Sequence, residues 1–183
     1  ARFGTLALGD VDARLAPLSL LIGRATIALA EPGGQGAPPL SGTAFVSRHG
    51  LGIDDLTARL VTGRVFAPLP VAAVDLDALT VRFEDGRCVA ASGRVRATLA
   101  GDVAGIALPP SAEGVARCDA GDLLLPLASQ AGTEAIALHL RGDGGYRADL
   151  SVRPSDPSAG ERLAAAGFVG GPGGYRLSIE GRF

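Results

Sequence analysis

The stretch LTVRFEDGRCVAASGRVRATL, residues 79–99, decides the fold, because it contains two runs in which apolar and polar residues alternate. Alternation with a period of two places successive side chains on opposite faces, which is the pattern of a half-buried β-strand. The segment EDG at 84–86 lies between the two runs and marks a turn. The apolar members of the runs include Leu79, Val81, Phe83, Val95 and Leu99.

The same alternation recurs on both sides of this stretch. It is clearest at 146–153, which contains Leu150, and at 175–180. Segments rich in glycine, such as RGDGGY at 141–146, separate the runs at short spacing. Further strand candidates span 4–15, 18–30, 40–48, 51–62, 71–78, 113–119, 121–129 and 134–142. The sequence therefore predicts an antiparallel, meandering all-β fold.

One short helix is predicted near residues 158–167. Ser158 is followed three residues later by Glu161, which is the spacing of a capping box at a helix N-terminus. Gly167 suits the C-terminal end of such a helix. We expect this helix to cover an end or an edge of the sheet.

The length of 183 residues suits a single domain that covers 1–183 and has its own core. Aromatic residues make up only 4% of the chain, so leucine, valine, isoleucine and alanine must build the interior. Two arrangements remain open: a sandwich that buries all apolar strand faces, or a curled sheet that leaves an aliphatic groove for a lipid tail or a partner strand. The residues expected on this core face or groove are Leu79, Val81, Phe83, Val95, Leu99 and Leu150.

The charge pattern argues against a nucleic-acid partner. The formal net charge is −2, and all 17 basic residues are arginines. They are spread singly along the chain and are balanced by 19 acidic residues, so no basic patch forms in the sequence.

The chain has two cysteines, Cys88 and Cys118, which lie thirty residues apart. No CxxC pair is present, so neither a zinc site nor a thioredoxin-like redox motif is predicted. A disulfide is favoured, because an even cysteine count in a lysine-free, loop-rich β-domain suits an oxidising compartment. The alternative is two buried free thiols.

No catalytic motif emerges from the remaining polar residues. His49 and His139 each lack a neighbouring partner in the sequence, and no serine lies in a GxSxG segment. Paired carboxylates such as those in VDLD at 74–77 lack the glycine and distal glutamate of a calcium loop. We therefore expect no catalytic site, no metal site and no cofactor.

The N-terminal segment bears on the relation to a membrane. The longest nearly apolar stretch, LAPLSLLIGRATIALA at 15–30, contains Pro17 and Arg24 and is too short for a spanning helix. The chain opens with the strand-like ARFGTLALGD and without a methionine. We expect that the natural N-terminus, with any membrane anchor, precedes this segment.

Five segments, in order along the chain, resemble one known family. They are FGTLALGDVDARLAPLSLLIGRATIAL at 3–29, GRCVAASGRVRATL at 86–99, GVARCDAGDLLLPLASQAG at 114–132, GGYRADLSVRP at 144–154 and GGYRLSIEGRF at 173–183. Their glycine, cysteine and leucine spacing resembles that of the type II secretion system protein N family. The resemblance covers essentially the whole chain.

This resemblance implies a setting for the protein. Such a protein is a bacterial inner-membrane protein with one N-terminal anchor and a periplasmic domain, and it works with other type II secretion subunits without being an enzyme. Cys88 and Cys118 match the two cysteine-bearing segments of the family, which strengthens the expectation of a disulfide. The alternative function is a lipid- or hydrophobe-binding β-groove that resembles AsmA-like or bridge-type lipid-transfer proteins.

Overall fold

The structure is a computed structural model, and it describes residues 2–3, 6–7, 12–15, 23–31, 40–61, 71–103, 105–156 and 158–182. Within these ranges the chain forms strands β1 to β17 and one short helix, α1. The prediction of an all-β fold with a single short helix is confirmed.

The strands differ widely in length, and the longest ones lie in the middle of the chain. The first nine are β1 (Arg2–Phe3), β2 (Leu6–Ala7), β3 (Asp12–Leu15), β4 (Arg24–Glu31), β5 (Leu40–Ser47), β6 (Gly50–Val61), β7 (Val71–Glu84), β8 (Arg87–Leu99) and β9 (Asp102–Val103). The others are β10 (Ile106–Ala107), β11 (Ser111–Val115), β12 (Arg117–Asp119), β13 (Asp122–Ser129), β14 (Glu134–Leu140), β15 (Gly145–Val152), β16 (Val169–Gly171) and β17 (Gly174–Arg182), and α1 spans Ala159–Ala165.

One large antiparallel sheet contains nearly all of these strands. Its order is β16-β17-β15-β14-β13-β11-β8-β7-β6-β5-β4-β3, with β12 paired to β13 beside this path. Most neighbours are consecutive in the sequence, as expected for a meander of hairpins. Among the described residues, the end strands β3 and β16 do not pair with each other, so the sheet is open. The short pairs β1–β2 and β9–β10 form separate two-stranded sheets.

The two faces of the sheet differ sharply in polarity. Register pairs such as Leu125–Leu138 and Leu150–Leu177 put aliphatic side chains of neighbouring strands on one face. Ion pairs cross the strands on the other face. They include Arg59–Asp75 at 3.4 Å, Arg94–Asp77 at 2.8 Å and Arg96–Glu113 at 2.9 Å. This division follows directly from the period-2 alternation of the sequence.

A line of irregular positions crosses the middle of the sheet. The positive-φ residues Gly42, Asp55, Ala78 and Gly93 occupy neighbouring points of β5, β6, β7 and β8, next to shifts in strand register. β-Bulges increase strand twist and bend a sheet, so an aligned row of them gives the sheet a crease. A Cβ on Gly93 would lie 2.6 Å from the carbonyl oxygen of Ala78, so this position requires glycine.

Threonine hydroxyls satisfy backbone amides at the crease. The amide of Asp55 donates to Oγ1 of Thr80 at 3.1 Å, and the amide of Ala78 donates to Oγ1 of Thr57 at 3.2 Å. These bonds replace backbone pairs that the bulges interrupt. The crease is thus hydrogen-bonded across strands.

The end of α1 follows the prediction, while its start differs. The amide of Gly167 donates to the carbonyl of Ala164, and that of Phe168 donates to Leu163, which is the Schellman pattern. The capping box predicted at Ser158 is wrong, because Ser158 makes no side-chain cap bond and donates its hydroxyl to Asp156 instead. Asp156 also accepts the amide of Ser158, so the Ser158 side chain is engaged before the helix begins.

The core lies on the apolar face of the curled sheet. Buried residues of β7, β8, β13, β14 and β15 form one continuous cluster, which α1 joins through the fully buried Leu163. Of the two arrangements that the sequence left open, the described residues show a single curled sheet whose apolar face packs on itself. We call this apolar side the concave face and the charged side the convex face.

Candidate functional site

An apolar cavity of about 470 Å³ lies on the concave face. We call it the concave cavity. One wall comes from β5, β6 and β7, where Leu51, Ile53, Leu76, Leu79, Val81 and Phe83 line it. The opposite wall comes from β13 and β14, through Leu123, Leu125, Leu138 and Leu140.

The two walls are distant along the sheet, and this distance measures the curl. Between β6 and β14 the sheet order places β7, β8, β11 and β13. At about 4.8 Å per strand, a flat sheet would separate β6 from β14 by roughly 24 Å. Both strands nevertheless line one cavity, so the sheet must bend strongly between them.

The six residues predicted for the core face or groove divide into two groups. Leu79, Val81 and Phe83 line the concave cavity. Val95, Leu99 and Leu150 are buried in the continuous apolar cluster and are not part of the cavity lining. β8 and β15 thus contribute these three side chains to the packed core rather than to the open part of the concave face.

The second wall of the cavity was missed by sequence reasoning. Its residues lie in strands that were predicted at 121–129 and 134–142, but nothing in the sequence paired them with β6 and β7 across the curl. The available signal was the alternation of Ile136, Leu138 and Leu140, which placed these side chains on one face.

The lining determines what the cavity can hold. All its side chains are hydrocarbon, so a bound group can make dispersion contacts and lose apolar contact with water. A polar group buried there would lose hydrogen bonds to water without replacing them through side chains. The concave cavity therefore fits an aliphatic chain.

One end of the cavity wall reaches solvent at the turn between β5 and β6. Val46 and Leu51 are register partners, and Leu51 pairs in turn with Phe83 of the cavity wall. Val46 is 52% exposed and Leu51 is 45% exposed, although both are large aliphatic residues. The apolar surface is thus continuous from the cavity to the outside.

A disulfide joins Cys88 to Cys118 on the same face. The register pairs Phe83 with Cys88 and Cys118 with Leu123, and both of these partners line the cavity. The disulfide therefore lies beside the concave cavity, between the strands of its two walls, and neither cysteine is among the residues that line the cavity. Both cysteines pack in the apolar cluster, and Cys88 is buried.

A polar depression on the convex face gathers the charged residues of β14, β15 and β17. Arg147 lies 3.4 Å from Asp149 and 3.9 Å from Glu180, and Ser178 donates its hydroxyl to Asp149. His139 lines the depression beside them. In the part of the chain that the structure describes, no three histidine, cysteine, aspartate or glutamate side chains are placed to hold a metal ion. The carboxylates of Asp149 and Glu180 thus have ion-pair or hydrogen-bond partners, Arg147 and Ser178, on neighbouring strands of the sheet.

One carboxylate beside this depression is held in its charged form. The amide of Gly145 donates to Oδ1 of Asp143 at 2.8 Å, which lowers the pKa of Asp143, and Arg141 and Arg182 act in the same direction. Because the folded-state pKa is lowered, this contribution to stability is present above the unfolded pKa and disappears as the pH falls through the folded one. Asp143 is exposed, so solvent screens this contribution and keeps it small.

Comparison with known families decides the identity. The family model described as type II secretion system (T2SS), protein N, matches residues 1–178, which is nearly the whole chain. The chain belongs to the type II secretion system protein N family. It is therefore a component of the type II secretion system. Comparisons with curated proteins and with solved structures gave no significant match.

The segments that carry the resemblance to the protein N family are strands of the curled sheet. Segment 86–99 is essentially β8, and 114–132 covers the end of β11 together with β12 and β13. Segments 144–154 and 173–183 contain β15 and β17. The segment 3–29 lies partly outside the described residues. In this family member, segment 114–132 contributes Leu123 and Leu125 to the lining of the concave cavity, and segment 86–99 packs in the core beside it.

One structural observation bears on the relation of this family member to a membrane. Among the helices of the described ranges, none has the length and apolar character needed to cross a bilayer.

Proposed function

We propose that this chain is a non-enzymatic component of the type II secretion system. In this proposal it forms the periplasmic β-domain of a protein that is anchored in the inner membrane, and it acts through contacts with other secretion subunits. The family match over residues 1–178 is the observation that carries the proposal. The proposal treats residues 1–183 as one domain.

The disulfide supports the periplasmic location. Disulfides form and persist in oxidising compartments such as the bacterial periplasm and are rare in the cytosol. The bond between Cys88 and Cys118 therefore fits an oxidising compartment such as the periplasm. A cysteine introduced at the exposed Ser178 should react with a membrane-impermeant maleimide in intact spheroplasts, and protection until lysis would contradict the periplasmic location.

The edge strand β17 supports a role in subunit contacts. β16 pairs only with residues 174–176 of β17, through three register pairs. Along residues 177–182, the described part of the chain provides a neighbour on the β15 side only. An unpaired strand edge presents backbone donors and acceptors to another chain.

We expect this edge to contact a secretion subunit in the cell. A photoactivatable benzoylphenylalanine at Glu180 should crosslink to another type II secretion subunit, identified by mass spectrometry. Arg96 of β8 provides the matched control, because it is also exposed on the convex face but lies in the middle of the sheet. Equal crosslinking from Arg96 would contradict the edge as the contact, and the lack of a secretion-subunit crosslink from either position would contradict the proposed role.

A second candidate function is the binding of one aliphatic chain, such as a lipid tail, in the concave cavity. The specific observation is the all-hydrocarbon lining of a cavity of about 470 Å³. Small-molecule sites occupy about 300–1,000 Å³ and are lined mainly by apolar side chains. The exposed Val46 and Leu51 provide an apolar path to this cavity from solvent.

Filling the cavity should weaken this binding. Ala44 lines the cavity, and Ala44→Phe places a ring inside it, so we expect the affinity for the fluorescent fatty acid cis-parinaric acid to fall at least about tenfold, or 1.4 kcal/mol. Ala90→Phe is the matched control, because Ala90 is exposed and pairs with the convex-face residue Arg82. Equal affinity in both variants, or no binding by the unmodified chain, would contradict an aliphatic ligand in the cavity.

A further inference from the structure

The hydrogen-bonded ladder between the two halves of the sheet is incomplete. β8 pairs with β11 through five register pairs, which run from Ser111–Thr98 to Val115–Arg94. The ladder then stops at Ala116, and the chain continues as β12, which pairs with β13. The remaining part of β8 therefore lies beside β12 without a regular ladder in the described residues. We call this boundary, residues 88–93 and 116–121, the seam.

Two backbone hydrogen bonds lie at the ends of the seam. The amide of Ala116 donates to the carbonyl of Gly93 at 3.0 Å, and the amide of Cys88 donates to the carbonyl of Gly121 at 2.7 Å. The disulfide crosses the seam near the second of these bonds. By comparison, β14 and β15 are joined by seven register pairs.

The side chains along the seam contribute little packing. On β8 the seam contains the exposed Val89 together with Ala90, Ala91 and Ser92, which are small and only partly buried or exposed. On the other side Ala116 is buried, but its side chain is a single methyl group. Contact energy between side chains grows with the apolar area that they bury, so small residues hold two strands together weakly. The disulfide is thus the strongest single connection across the seam.

The seam also lies between the walls of the concave cavity. Phe83, beside Cys88, belongs to the wall made by β5 to β7, and Leu123, beside Cys118, belongs to the wall made by β13 and β14. A change in the distance between β8 and β12 would therefore move one wall relative to the other.

We propose that the disulfide between Cys88 and Cys118 is a redox-sensitive clamp that fixes the width of the concave cavity. Opening it takes two electrons and two protons from a dithiol, whose own sulfurs close into a disulfide. The dithiol attacks the sulfur of Cys118, because Cys118 is only half-buried whereas Cys88 is buried. Cys88 leaves as a thiolate and is then protonated, which leaves Cys118 in a mixed disulfide with the reductant. The second thiol of the reductant attacks its own sulfur in that mixed disulfide, and Cys118 is released as a thiolate and protonated in turn. The seam opens along its incomplete ladder, and the rest of the sheet keeps its pairing.

Hydrogen exchange tests this clamp directly. Mass spectrometry of the oxidised chain and of the chain reduced with dithiothreitol should show that reduction accelerates amide exchange at 88–93 and 116–121. We expect this acceleration to exceed that in β14 and β15 at least tenfold. Exchange that accelerates equally in all strands would overturn the proposal, because the bond would then act only on the free energy of global unfolding and not on the seam. Exchange that is unchanged at the seam would overturn it as well.

The control is the variant Cys88→Ala/Cys118→Ala, in which dithiothreitol should have no effect and seam exchange should already be fast. If this variant does not fold, the unmodified chain reduced with dithiothreitol still shows whether amide exchange without the disulfide is faster at the seam than in β14 and β15. The affinity for cis-parinaric acid provides a separate readout and should change at least threefold on reduction of the unmodified chain. If the probe binds in neither redox state, the aliphatic ligand is contradicted, while the exchange pattern still decides whether the clamp exists.

Discussion

Removal of the disulfide through Cys88→Ala/Cys118→Ala should lower the free energy of unfolding by about 3–4 kcal/mol. The bond closes a loop between residues that are 30 apart, so its loss restores a large conformational entropy to the unfolded chain. Urea denaturation of the oxidised chain and of the variant measures the difference. Since natural domains are stable by only about 5–15 kcal/mol, the effect is a large part of the total.

Two controls separate the bond from the side chains. The unmodified chain under dithiothreitol should lose nearly the same free energy, because it keeps both sulfur atoms and lacks only the bond. Thiol titration of the denatured, non-reduced chain should find no free thiol. A loss below about 1 kcal/mol in both the variant and the reduced chain would contradict a stabilising role for the disulfide.

The strand predictions are correct where the alternation of side chains directly reflects the local backbone geometry. The alternation around residues 79–84 and 94–99 was interpreted correctly, and β7 and β8 contain these runs. β7 joins the strand predicted at 71–78 to the run that begins at Leu79, and β8 begins at Arg87, well before the run at 94–99. Bulges at Ala78 and Gly93 shift the alternation by one residue, so the period breaks within a continuous strand.

The concave cavity could be predicted only in part, for a related reason. Residues on one strand face follow from local alternation, and this is why Leu79, Val81 and Phe83 were placed together. The opposing Leu125 and Leu138 come close to them only because the sheet curls between β7 and β13. The curl is a sum of small distortions over several strands, and no short stretch of sequence encodes it.

The helix shows how two local rules compete. The spacing of Ser158 and Glu161 satisfies the capping box, but the carboxylate of Asp156 bonds both the amide and the hydroxyl of Ser158. A charged acceptor forms the stronger hydrogen bond, so the Ser158 hydroxyl is directed toward Asp156 and away from the helix. The charge-assisted bonds from Ser158 also lower the pKa of Asp156.

The family and the cavity together suggest how the disulfide relates to function. The cysteines lie in segments that carry the resemblance to protein N of the secretion system, and the disulfide joins these segments beside the concave cavity. A bond needed only for stability would serve equally well at another boundary between strands. Its position at the seam instead couples the stability of the fold to the geometry of the concave face.

The largest effect of a single substitution away from the cysteines is expected at Gly114, in β11. A Cβ at this position would overlap the carbonyl oxygen of Pro126 and lie 2.7 Å from its carbonyl carbon, and both are backbone atoms that cannot rotate away. Gly114→Ala should therefore lower the free energy of unfolding by about 3 kcal/mol, because β11 and β13 must move apart.

The strand pairing explains why the two backbones approach so closely there. β11 pairs with β13 at Glu113–Ala128, and β12 resumes the pairing at Arg117–Leu124. Pro126 lies in the gap between these pairs and has no amide hydrogen to donate. The seam begins at the same point, so Gly114→Ala should also accelerate amide exchange at 116–121.

Gly173→Ala provides the matched control, because no atom lies within 4 Å of the Cβ position at Gly173. This variant should change the free energy of unfolding by less than about 0.5 kcal/mol. Urea denaturation of both variants under oxidising conditions gives the comparison. If Gly114→Ala is as stable as Gly173→Ala, β11 and β13 are not in the close contact at which the seam begins.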